Sequence, residues 1–590
     1  MNVDDIWSLS PSPFREGQKE AIESICQALD DGYENIILEA GTGTGKSAIG
    51  TSVINYVNNS FLVTKTKQLQ QQYIDTFPQI LTNIKGRKNY QCNYNIDDCY
   101  CYIDYVNKKN LIDEKLEILE LSPTFDTGYL ESLDYDEQCV FLTPMKMWNC
   151  HDCPYQRAVK KAKISDNVLS NYDYLWYSSV INKIFPSRQL LVVDEAHTLE
   201  QKIMSFVTFT LNSGRIFNKY DIDIFNDRDI DDITSISYWI DIYYQIIAEL
   251  QYQQEISLEE VSLKIGDNDL LEKEIIQGFD KLCNKYYDII EELKTHQYVV
   301  NVETSEEKIR QNYYDLTVEL KPVYPVSHIK RFLSLGTQRL FMTATLGDKY
   351  SFCKYLGLNE DDTFHYVLKS PFKKENRPII TKYAGYFSGS KNNIPNWKND
   401  NSIRICQSII LHHHGENGII HTNSNNQTNY LYEKLYPLFS NHYNFYCINE
   451  DNNRDLMIKR FIDDKKPSIL IGASIKDGVD FEGDLCRFQI CAKMPYLYVG
   501  DNQIKVRQKQ DLNWYYYHTA VDLLQSYGRG IRSENDFCTF YIIDAAFKPF
   551  FKYNRNLLGE YFLEALNIPI KHKSITQKSS LLDSFKAKSN

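Results

Sequence analysis

Residues 35–47 combine a short apolar run with alternating glycines, a lysine and a serine. The apolar run predicts a buried strand, and the Lys-Ser pair predicts the start of a helix. Glycines let the backbone curl around phosphate oxygens, a lysine places its charge on the β- and γ-phosphates, and a serine hydroxyl can bind Mg²⁺. Ala40 stands where the commonest form of this loop has glycine. The pattern predicts a nucleotide-phosphate site formed by Ala40, Gly41, Thr42, Gly43, Thr44, Gly45, Lys46 and Ser47.

A second set of residues that could do chemistry is Asp-Glu-Ala-His at 194–197. Four apolar residues precede it and predict a buried strand with both carboxylates at its carboxyl end. Parallel α/β sheets bind their ligands at that edge. We therefore expect Asp194 to hold the Mg²⁺ of the nucleotide and Glu195 to orient and deprotonate the attacking water.

Arginines that could complete such a site lie far along the chain. Gln525, Arg529 and Arg532 fall at i, i+4 and i+7, which on a helix is one stripe. Two guanidinium groups aimed across a cleft at a γ-phosphate would stabilise the charge of phosphoryl transfer. Near the other end, Phe14, Arg15 and Gln18 lie upstream of the glycine loop and could form an adenine pocket, in which the Gln18 amide would pair with the adenine edge. A plain helix start is an equally good interpretation of Gln18.

Six of the fourteen cysteines lie between residues 92 and 153. Clustered thiols in a reducing compartment indicate a soft-metal or iron–sulfur site, although free buried thiols remain an alternative. Cys150 and Cys153 form a C-x-x-C pair without a second such pair, which weakens a zinc-ribbon interpretation. A basic stretch follows directly and could contact a phosphate backbone or form an ordinary solvated face. Its residues are Arg157, Lys160, Lys161 and Lys163.

Length and charge limit the possible classes of protein. A chain of 590 residues predicts about three to five domains. The net charge of −13 means that no global positive field attracts nucleic acid, so any such contact must use local basic grooves. The amino terminus is acidic rather than signal-like, and no apolar run reaches the roughly 18 residues of a membrane span. We expect a soluble intracellular protein, cytoplasmic or in the nucleoid or nucleus, with no membrane partner.

The rest of the chain predicts two α/β units and a helical segment. Apolar runs at 340–343, 418–420 and 468–471 predict further buried strands, and the loop 477–483 follows the last of them. Residues 200–320 carry apolar side chains at helical spacing, with one or two strands expected near 298–320 that lead back into the first sheet. The long separation of Lys46 from Asp194 predicts an insertion between their strands.

Taken in order, these motifs resemble those of superfamily 2 helicases, and the cysteine-rich insertion after 86–90 narrows the resemblance to the Rad3/XPD/DinG group. The motif segments are 40–47, 64–71, 194–197, 343–346, 477–483 and 525–532. The resemblance implies an α/β fold with two RecA-like parallel-sheet motor domains, and with an iron–sulfur insertion and a helical arch insertion in the first. It also implies ATP, Mg²⁺, a monomeric motor, and 5′→3′ movement on single-stranded and forked DNA.

The resemblance also implies domain boundaries and further site residues. Gly478 and Asp480 would contact the nucleotide, and Cys92, Cys139, Cys150 and Cys153 would hold a [4Fe–4S] cluster, with Cys99 and Cys101 as alternative ligands and zinc as an alternative metal. The chain departs from the family at 544–547, where an expected arginine is missing. The boundaries are 1–84 with 169–205 and 325–365 for motor domain 1, 85–168 for the cysteine-rich domain, 206–324 for the arch-like domain, 366–565 for motor domain 2 and 566–590 for a flexible basic tail.

Two rival functions remain open at this point. One is an RNA-directed ATPase of the same superfamily, and the other is a non-catalytic, ATP-gated scaffold in a nucleoprotein assembly. The cysteine insertion favours DNA over RNA, and the intact Glu195 and both arginines favour an enzyme over a scaffold. The sequence names neither a pathway nor a protein partner.

Overall fold

The computed structural model describes residues 7, 14–41, 43–90, 153–220, 222, 233–265, 269–310, 313–391, 394–450, 453–473, 475, 481–531 and 536–567. Two parallel sheets, each flanked by helices, form two lobes, and a separate inserted segment lies between two strands of the first sheet. We call the unit around the seven-stranded sheet the first lobe and the unit around the six-stranded sheet the second lobe. No helix among these described residues is both long enough and apolar enough to cross a membrane.

The first lobe is built on seven parallel strands whose pairing brings distant parts of the chain together. The strand that precedes the glycine loop lies between the strands that end at Thr343 and at Leu368. From edge to edge the strands are Thr363–Leu368, Asn35–Ala40, Gly336–Thr343, Arg188–Asp194, Ser60–Thr64, Asn167–Asn171 and Thr82–Asn83.

Each central strand of the first lobe is buried on both faces, which explains its uninterrupted apolar run. Ile37 and Val193 point into one core cluster, whereas their neighbours Ile36 and Val192 point into another on the opposite face. Helices cover these faces. They are Gln18–Asp30, Lys46–Val57, Lys67–Thr76, Pro154–Ile164, Tyr172–Leu175, Leu199–Phe206, Val326–Leu333 and Lys349–Leu356.

The second lobe repeats this arrangement with six parallel strands. Their order is Ile379–Gly385, Thr539–Asp544, Phe488–Cys491, Gly418–His421, Ser468–Gly472 and Asn444–Ile448. The helices that follow Ile379–Gly385 are Asp400–His412, Asn425–Phe439, Arg454–Asp463, Asn502–Gln510, Leu512–Tyr527, Phe547–Asn554 and Gly559–Leu563.

The inserted segment contains two long helices, Ile236–Ile265 and Asp269–Thr295, and a three-stranded antiparallel sheet. The strands expected near 298–320 are present as Tyr298–Arg310 and Tyr313–Pro322, but the expectation that they lead back into the motor sheet was wrong. They pair with one another because they form a hairpin, and buried Val300, Val318 and Leu320 pack on the long helices in a core of their own. The strands, in spatial order, are Phe209–Asn212, Tyr313–Pro322 and Tyr298–Arg310.

Three elements of the first lobe extend beyond the boundaries expected from sequence. Strand Thr363–Leu368 crosses the boundary at 365 and strand Asn167–Asn171 crosses the one at 168. Helix Pro154–Ile164 was assigned to the cysteine-rich domain, but its Val159 and Ala162 pack in the core of the first lobe. Strand pairing and an apolar helix face decide these memberships, and neither follows from the motif positions. The expected tail lies outside the described residues from 568 onward.

Candidate nucleotide site

The glycine loop connects strand Asn35–Ala40 to helix Lys46–Val57. Gly43 and Gly45 have φ values of 78° and 85°, in the left-handed region that glycine adopts without steric cost. Lys46 is buried, and its Nζ donates a hydrogen bond to the Ala40 carbonyl at 3.1 Å. The Thr44 hydroxyl donates to the Gly41 carbonyl at 2.7 Å, which ties the loop to itself. Thr42 lies outside the described residues.

Gln18 lies against this loop from the helix that precedes it in the chain. Its Nε2 donates to the Thr44 carbonyl at 2.8 Å, and its Oε1 accepts from the Arg15 N–H at 2.8 Å. The Arg15 guanidinium donates to the Gly43 carbonyl. The Gln18 amide thus contacts the loop through Nε2 and the Arg15 N–H through Oε1, so the expected pairing with adenine would require at least one of these bonds to break.

The carboxylates of the Asp-Glu pair lie where the strand Arg188–Asp194 ends. Asp194 Oδ1 accepts the Glu195 N–H at 3.0 Å, and Asp194 Oδ2 accepts the Tyr73 hydroxyl at 3.1 Å. The side chain of Ser47 hydrogen-bonds the same phenol. Tyr172 donates to the Asp194 carbonyl at 3.1 Å. Tyr73 and Tyr172 thus hold Asp194 from two helices of the first lobe, Lys67–Thr76 and Tyr172–Leu175.

Sequence reasoning missed Tyr73 and Tyr172. The chain contains 44 tyrosines, so a tyrosine at any one position carries no signal. Arg15, expected as the basic residue of a possible adenine pocket, contacts the glycine loop in this structure.

Electrostatics separate the roles of the two acids. Burial, together with the negative charge of Glu195, raises the pKa of Asp194 to about 7, and the positive charge of Lys46 opposes this rise. Burial would also raise the pKa of Glu195, but Lys46, His197 and Arg529 outweigh it and hold that pKa below its ordinary value. Glu195 is therefore the more readily ionised carboxylate of the pair.

His197 is neutral in this environment. Burial is the main cause that lowers its pKa to about 4, and the charges of Lys65, Arg529 and Lys46 act in the same direction against Glu195. A neutral imidazole can accept a hydrogen bond at one ring nitrogen while it donates at the other.

The second lobe reaches this site through Gln525 and Arg529. Gln525 Nε2 lies 3.4 Å from His197 Nδ1 and donates to the Thr345 hydroxyl. Arg529 is close enough to lower the pKa values of His197 and Glu195 by its charge. The Thr343 hydroxyl of the first lobe lies 3.2 Å from the same His197 Nδ1. The structure thus brings the lysine loop, the acidic pair and the late glutamine and arginine together.

The expected helical stripe of Gln525, Arg529 and Arg532 was wrong. The helix Leu512–Tyr527 ends at Gly528, whose N–H caps the Leu524 carbonyl, so Arg529 lies on the loop beyond the helix. Gly528 has φ −70°, so the helix does not end through a left-handed glycine. Arg532, Gly478 and Asp480 lie outside the described residues.

Of the four expected cluster ligands, only Cys153 lies among the described residues. It stands at the N-cap of helix Pro154–Ile164, with its thiol half-buried and free. Cys92, Cys139 and Cys150 lie outside, as do the alternatives Cys99 and Cys101. In the described part of the chain, no group of three or more His, Cys, Asp or Glu side chains is arranged to hold a metal ion. The cluster therefore stays a prediction.

Comparison with known proteins connects this site to a family. The family described as "Helicase C-terminal domain" matches residues 407–562, and the family described as "Type III restriction enzyme, res subunit" matches residues 12–221. A "Probable ATP-dependent helicase" of Methanocaldococcus jannaschii is 21% identical over 90% of this chain and 92% of its own. The "ATP-dependent DNA helicase YoaA" of Escherichia coli is 21% identical over 84% of each chain.

The solved structure titled "Structure of S. tokodaii Xpd4" covers 94% of this chain and 99% of its own, with a TM-score of 0.51 and 14% identity. In sequence and fold the chain is thus similar to superfamily 2 helicases of the Rad3/XPD/DinG group. The likeness to the solved structure supports the fold seen here, in which the two parallel-sheet lobes are RecA-like domains.

Proposed function

We propose that this protein is an ATP-dependent DNA helicase that moves 5′→3′ along single-stranded DNA and separates forked duplexes. The observation that carries the proposal is the crevice between the lobes. The first lobe places Lys46, Asp194 and Glu195 there, and the second lobe places Gln525 and Arg529 beside Glu195 and His197. A site divided between two lobes can change the distance between them when the nucleotide binds and is hydrolysed.

The residues of the crevice suit the phosphates of ATP. Lys46 would exchange the Ala40 carbonyl for the β- and γ-phosphates, and the loop N–H groups at the start of helix Lys46–Val57 would bind further oxygens. Asp194 and Ser47 lie on either side of the Tyr73 hydroxyl and would hold Mg²⁺. With its lowered pKa, Glu195 is ionised at neutral pH and would accept the proton of the attacking water.

The second lobe would supply the remaining charge stabilisation. Arg529 already acts on Glu195 through its charge, and we propose that it and Arg532 contact the γ-phosphate when the crevice holds ATP. Gly478 and Asp480 are proposed nucleotide contacts of the same lobe. ATP binding would pull the lobes together, and they would separate again after hydrolysis. The DNA strand would advance as the spacing of the lobes changes.

Two observations support the proposal that DNA is the substrate. The Escherichia coli relative is named a DNA helicase, and the cysteine-rich insertion is the feature that narrows the family resemblance. We propose that Cys92, Cys139, Cys150 and Cys153 hold a [4Fe–4S] cluster, with zinc as the alternative. Visible absorption of anaerobically purified protein distinguishes the two, because an iron–sulfur cluster is coloured and zinc is not.

ATP hydrolysis with and without nucleic acid tests the function. We expect single-stranded DNA to stimulate hydrolysis and Lys46→Ala to abolish it, while Lys434→Ala, on an exposed helix face of the second lobe, retains it. Near-normal turnover by Lys46→Ala would remove the site assignment. Stronger stimulation by RNA than by DNA would favour the RNA-directed alternative, and nucleotide binding without turnover would favour the scaffold.

Direction requires its own assay. Duplexes that carry a 5′ single-stranded tail should be unwound in the presence of ATP, whereas matched duplexes with a 3′ tail should not. The reverse preference would contradict the proposed polarity and leave the ATPase proposal intact.

A further inference from the structure

A buried charge cluster connects the two lobes at a second place. Glu200, which is only 5% exposed, lies on helix Leu199–Phe206, directly after the Asp-Glu-Ala-His motif. Its carboxylate forms an ion pair with Arg507 and accepts a hydrogen bond from His518 Nε2 at 3.0 Å. Arg507 and His518 are also buried, and both belong to the second lobe. We call these three residues the interlobe cluster.

Aromatic rings enclose the interlobe cluster. The Arg507 guanidinium lies 4.0 Å from the centroid of Trp514 and 4.9 Å from that of Tyr324. The His518 ring lies 4.8 Å from the same Trp514. Burial would raise the pKa of Glu200, but the charges of Arg507 and His518 lower it to about 2, so the carboxylate is ionised at neutral pH. The cluster is thus charged and shielded from water.

Such a cluster is a poor way to stabilise a fold. Removing two charges from water costs about as much as their attraction returns, and a buried ion pair can often be replaced by apolar groups without loss. A buried pair instead fixes the relative positions of its two side chains, because it is costly to leave either charge without its partner in an apolar site. A contact with this property between two lobes restricts their relative orientation.

The cluster lies on the same two segments as the nucleotide crevice. Glu200 follows Glu195 by five residues in the first lobe. His518 and Gln525 lie seven residues apart on helix Leu512–Tyr527, which is two turns and about 10 Å along one face. These two buried polar contacts, about 10 Å apart, restrict the orientation of this helix on the first lobe, beside the hydrogen bond from Tyr517 to the Leu346 carbonyl.

We propose that Glu200, Arg507 and His518 are positioning residues that hold Gln525 and Arg529 in register with Glu195 and His197. This inference rests on the proposed ATP hydrolysis at the crevice. The three residues touch neither phosphate nor metal in this assignment, and they act through the helix that carries Gln525. The expected signature is a lower kcat with little change in KM for ATP, because the phosphate loop lies entirely on the first lobe.

The inserted segment contacts the start of the helix that carries Arg507. Lys321 Nζ lies 2.8 Å from Asp501 Oδ2, and the Asn502 N–H donates to Asn301 Oδ1 at 2.8 Å. Asp501 caps helix Asn502–Gln510, which carries Arg507 to the cluster. Movement of the inserted segment would therefore reach Glu200 through one short helix.

Kinetics of Glu200→Gln in two backgrounds test the inference. In the otherwise unchanged protein, we expect Glu200→Gln to lower kcat by roughly tenfold or more, since small misplacements of catalytic groups cost up to about a hundredfold. KM for ATP should change by less than about threefold, and a fluorescent ADP analogue should still bind one per chain, which shows that the first lobe is folded. In a Gln525→Ala background, single-turnover assays should show that Glu200→Gln has less than about a twofold further effect, because coupled sites are non-additive.

A matched control uses another ion pair between the lobes. Lys354 Nζ lies 2.6 Å from Oδ2 of Asp511, the residue that caps the start of the same helix Leu512–Tyr527, but this pair is partly exposed. We expect Lys354→Gln to leave kcat within about twofold in both backgrounds, as is usual for exposed pairs. Arg507→Gln should repeat the behaviour of Glu200→Gln, and Glu200→Asp should restore part of kcat.

Each alternative result has a defined meaning. If Glu200→Gln lowers kcat by the same factor with and without Gln525, the cluster acts independently and the inference is wrong. If nucleotide stoichiometry falls in parallel with kcat, the residue is merely structural and the inference is also wrong. If the unchanged protein hydrolyses no ATP with any nucleic acid, the proposed function itself fails and the inference fails with it.

Discussion

At the scale of single residues, the crevice depends on donors that surround the Asp-Glu pair. Tyr73 is 2% exposed, and burial followed by the charge of Asp194 raises its pKa well above the ordinary value, so the phenol stays protonated. Its hydroxyl donates to Asp194 Oδ2. This bond favours the ionised form of Asp194, which is the form that binds Mg²⁺.

Tyr73→Phe should lower ATP turnover while it preserves the packing of the ring. A hydrogen bond to a charged group contributes about 1.5–3 kcal/mol, so a loss of roughly 10- to 100-fold in kcat/KM is expected. Steady-state hydrolysis at saturating Mg²⁺ measures it. The control is Tyr56→Phe, because Tyr56 also donates to a carboxylate, that of Asp30 at 2.8 Å, but on the exposed surface of the same lobe. Unchanged turnover in Tyr73→Phe would contradict the role given to this phenol.

Gly45→Ala should weaken nucleotide binding more than it weakens the fold. An alanine at φ 85° is strained by about 1–2 kcal/mol. Its Cβ would also lie 2.2 Å from Gln18 Nε2 and displace the side chain that supports the loop. Titration with a fluorescent ADP analogue should show at least about a tenfold loss, which corresponds to 1.4 kcal/mol.

Gly32→Ala is the control that has the backbone strain of a positive φ without a collision between the new Cβ and another side chain. Gly32 also has a positive φ, of 90°, but a Cβ there would meet nothing within 4 Å. It should lower the thermal midpoint and leave nucleotide affinity unchanged. Equal affinity in both variants would show that Gln18 does not support the loop.

At the scale of elements, a single carboxylate connects the outer strands of the second lobe. Asp464 ends helix Arg454–Asp463 and accepts hydrogen bonds from Asn444 Nδ2 at 2.7 Å, the Tyr446 hydroxyl at 2.8 Å and the Ser468 hydroxyl at 2.7 Å. Asn444 and Tyr446 belong to one strand and Ser468 begins the next. Asp464 therefore sets where these two parallel strands start.

Asp464→Asn should destabilise the second lobe in a pH-dependent way. Burial would raise the pKa of Asp464, but the hydrogen bonds lower it from 3.8 to about 2 in the folded protein. The carboxylate therefore stabilises the fold above about pH 4, and this contribution is lost as the pH falls toward 2. Thermal midpoints should differ most from the unchanged protein at pH 7 and converge below pH 4.

Asp463 provides the matched control for this experiment. It is the neighbouring, exposed aspartate, and Asp463→Asn should leave the midpoint unchanged at both pH values. A pH-independent difference for Asp464→Asn would mean that shape rather than charge is responsible.

At the scale of the whole molecule, the lobes are in direct contact. One core cluster contains residues of both, such as Phe341 from the first lobe and Ala520 from the second, and Tyr517 donates to the Leu346 carbonyl at 3.0 Å. Opening the crevice would therefore expose apolar area in addition to breaking the polar contacts around Gln525. The free energy of any change in lobe spacing on ATP binding therefore includes the exposure or burial of this apolar area.

The net charge of −13 requires that DNA binding be local. Helix Pro154–Ile164 exposes Arg157, Lys160, Lys161 and Lys163 on one short element. If these residues contact DNA phosphates, replacing Lys160 and Lys161 by glutamine should reduce the slope of log affinity against log salt by about 1.4 for single strands. Fluorescence anisotropy at several salt concentrations measures this slope.

Lys273 and Lys281 serve as the control pair. They are exposed on helix Asp269–Thr295 of the inserted segment, and their replacement by glutamine changes the net charge equally. An equal reduction of the slope by both pairs would show a general charge effect rather than a local DNA contact.

The sequence alone was sufficient to predict the elements whose structure depends on neighbouring residues. The strand before Gly41, the loop up to Lys46 and the strand that ends at Asp194 follow from apolar runs and glycine spacing within about a dozen residues. The order of such motifs also indicated the family resemblance and the two-sheet architecture. Where a helix ended early, at Gly528, the same local reasoning extended the helix too far.

Only the tertiary structure decided which distant side chains meet. Nothing near Asp194 in the sequence indicates Tyr73, and nothing near Glu200 indicates Arg507 and His518, more than three hundred positions away. Periodicity reports which face of an element is buried, but the partner on that face depends on the path of the whole chain. For the same reason the inserted strands paired with one another, and the strand Thr363–Leu368 joined the first sheet across the expected boundary.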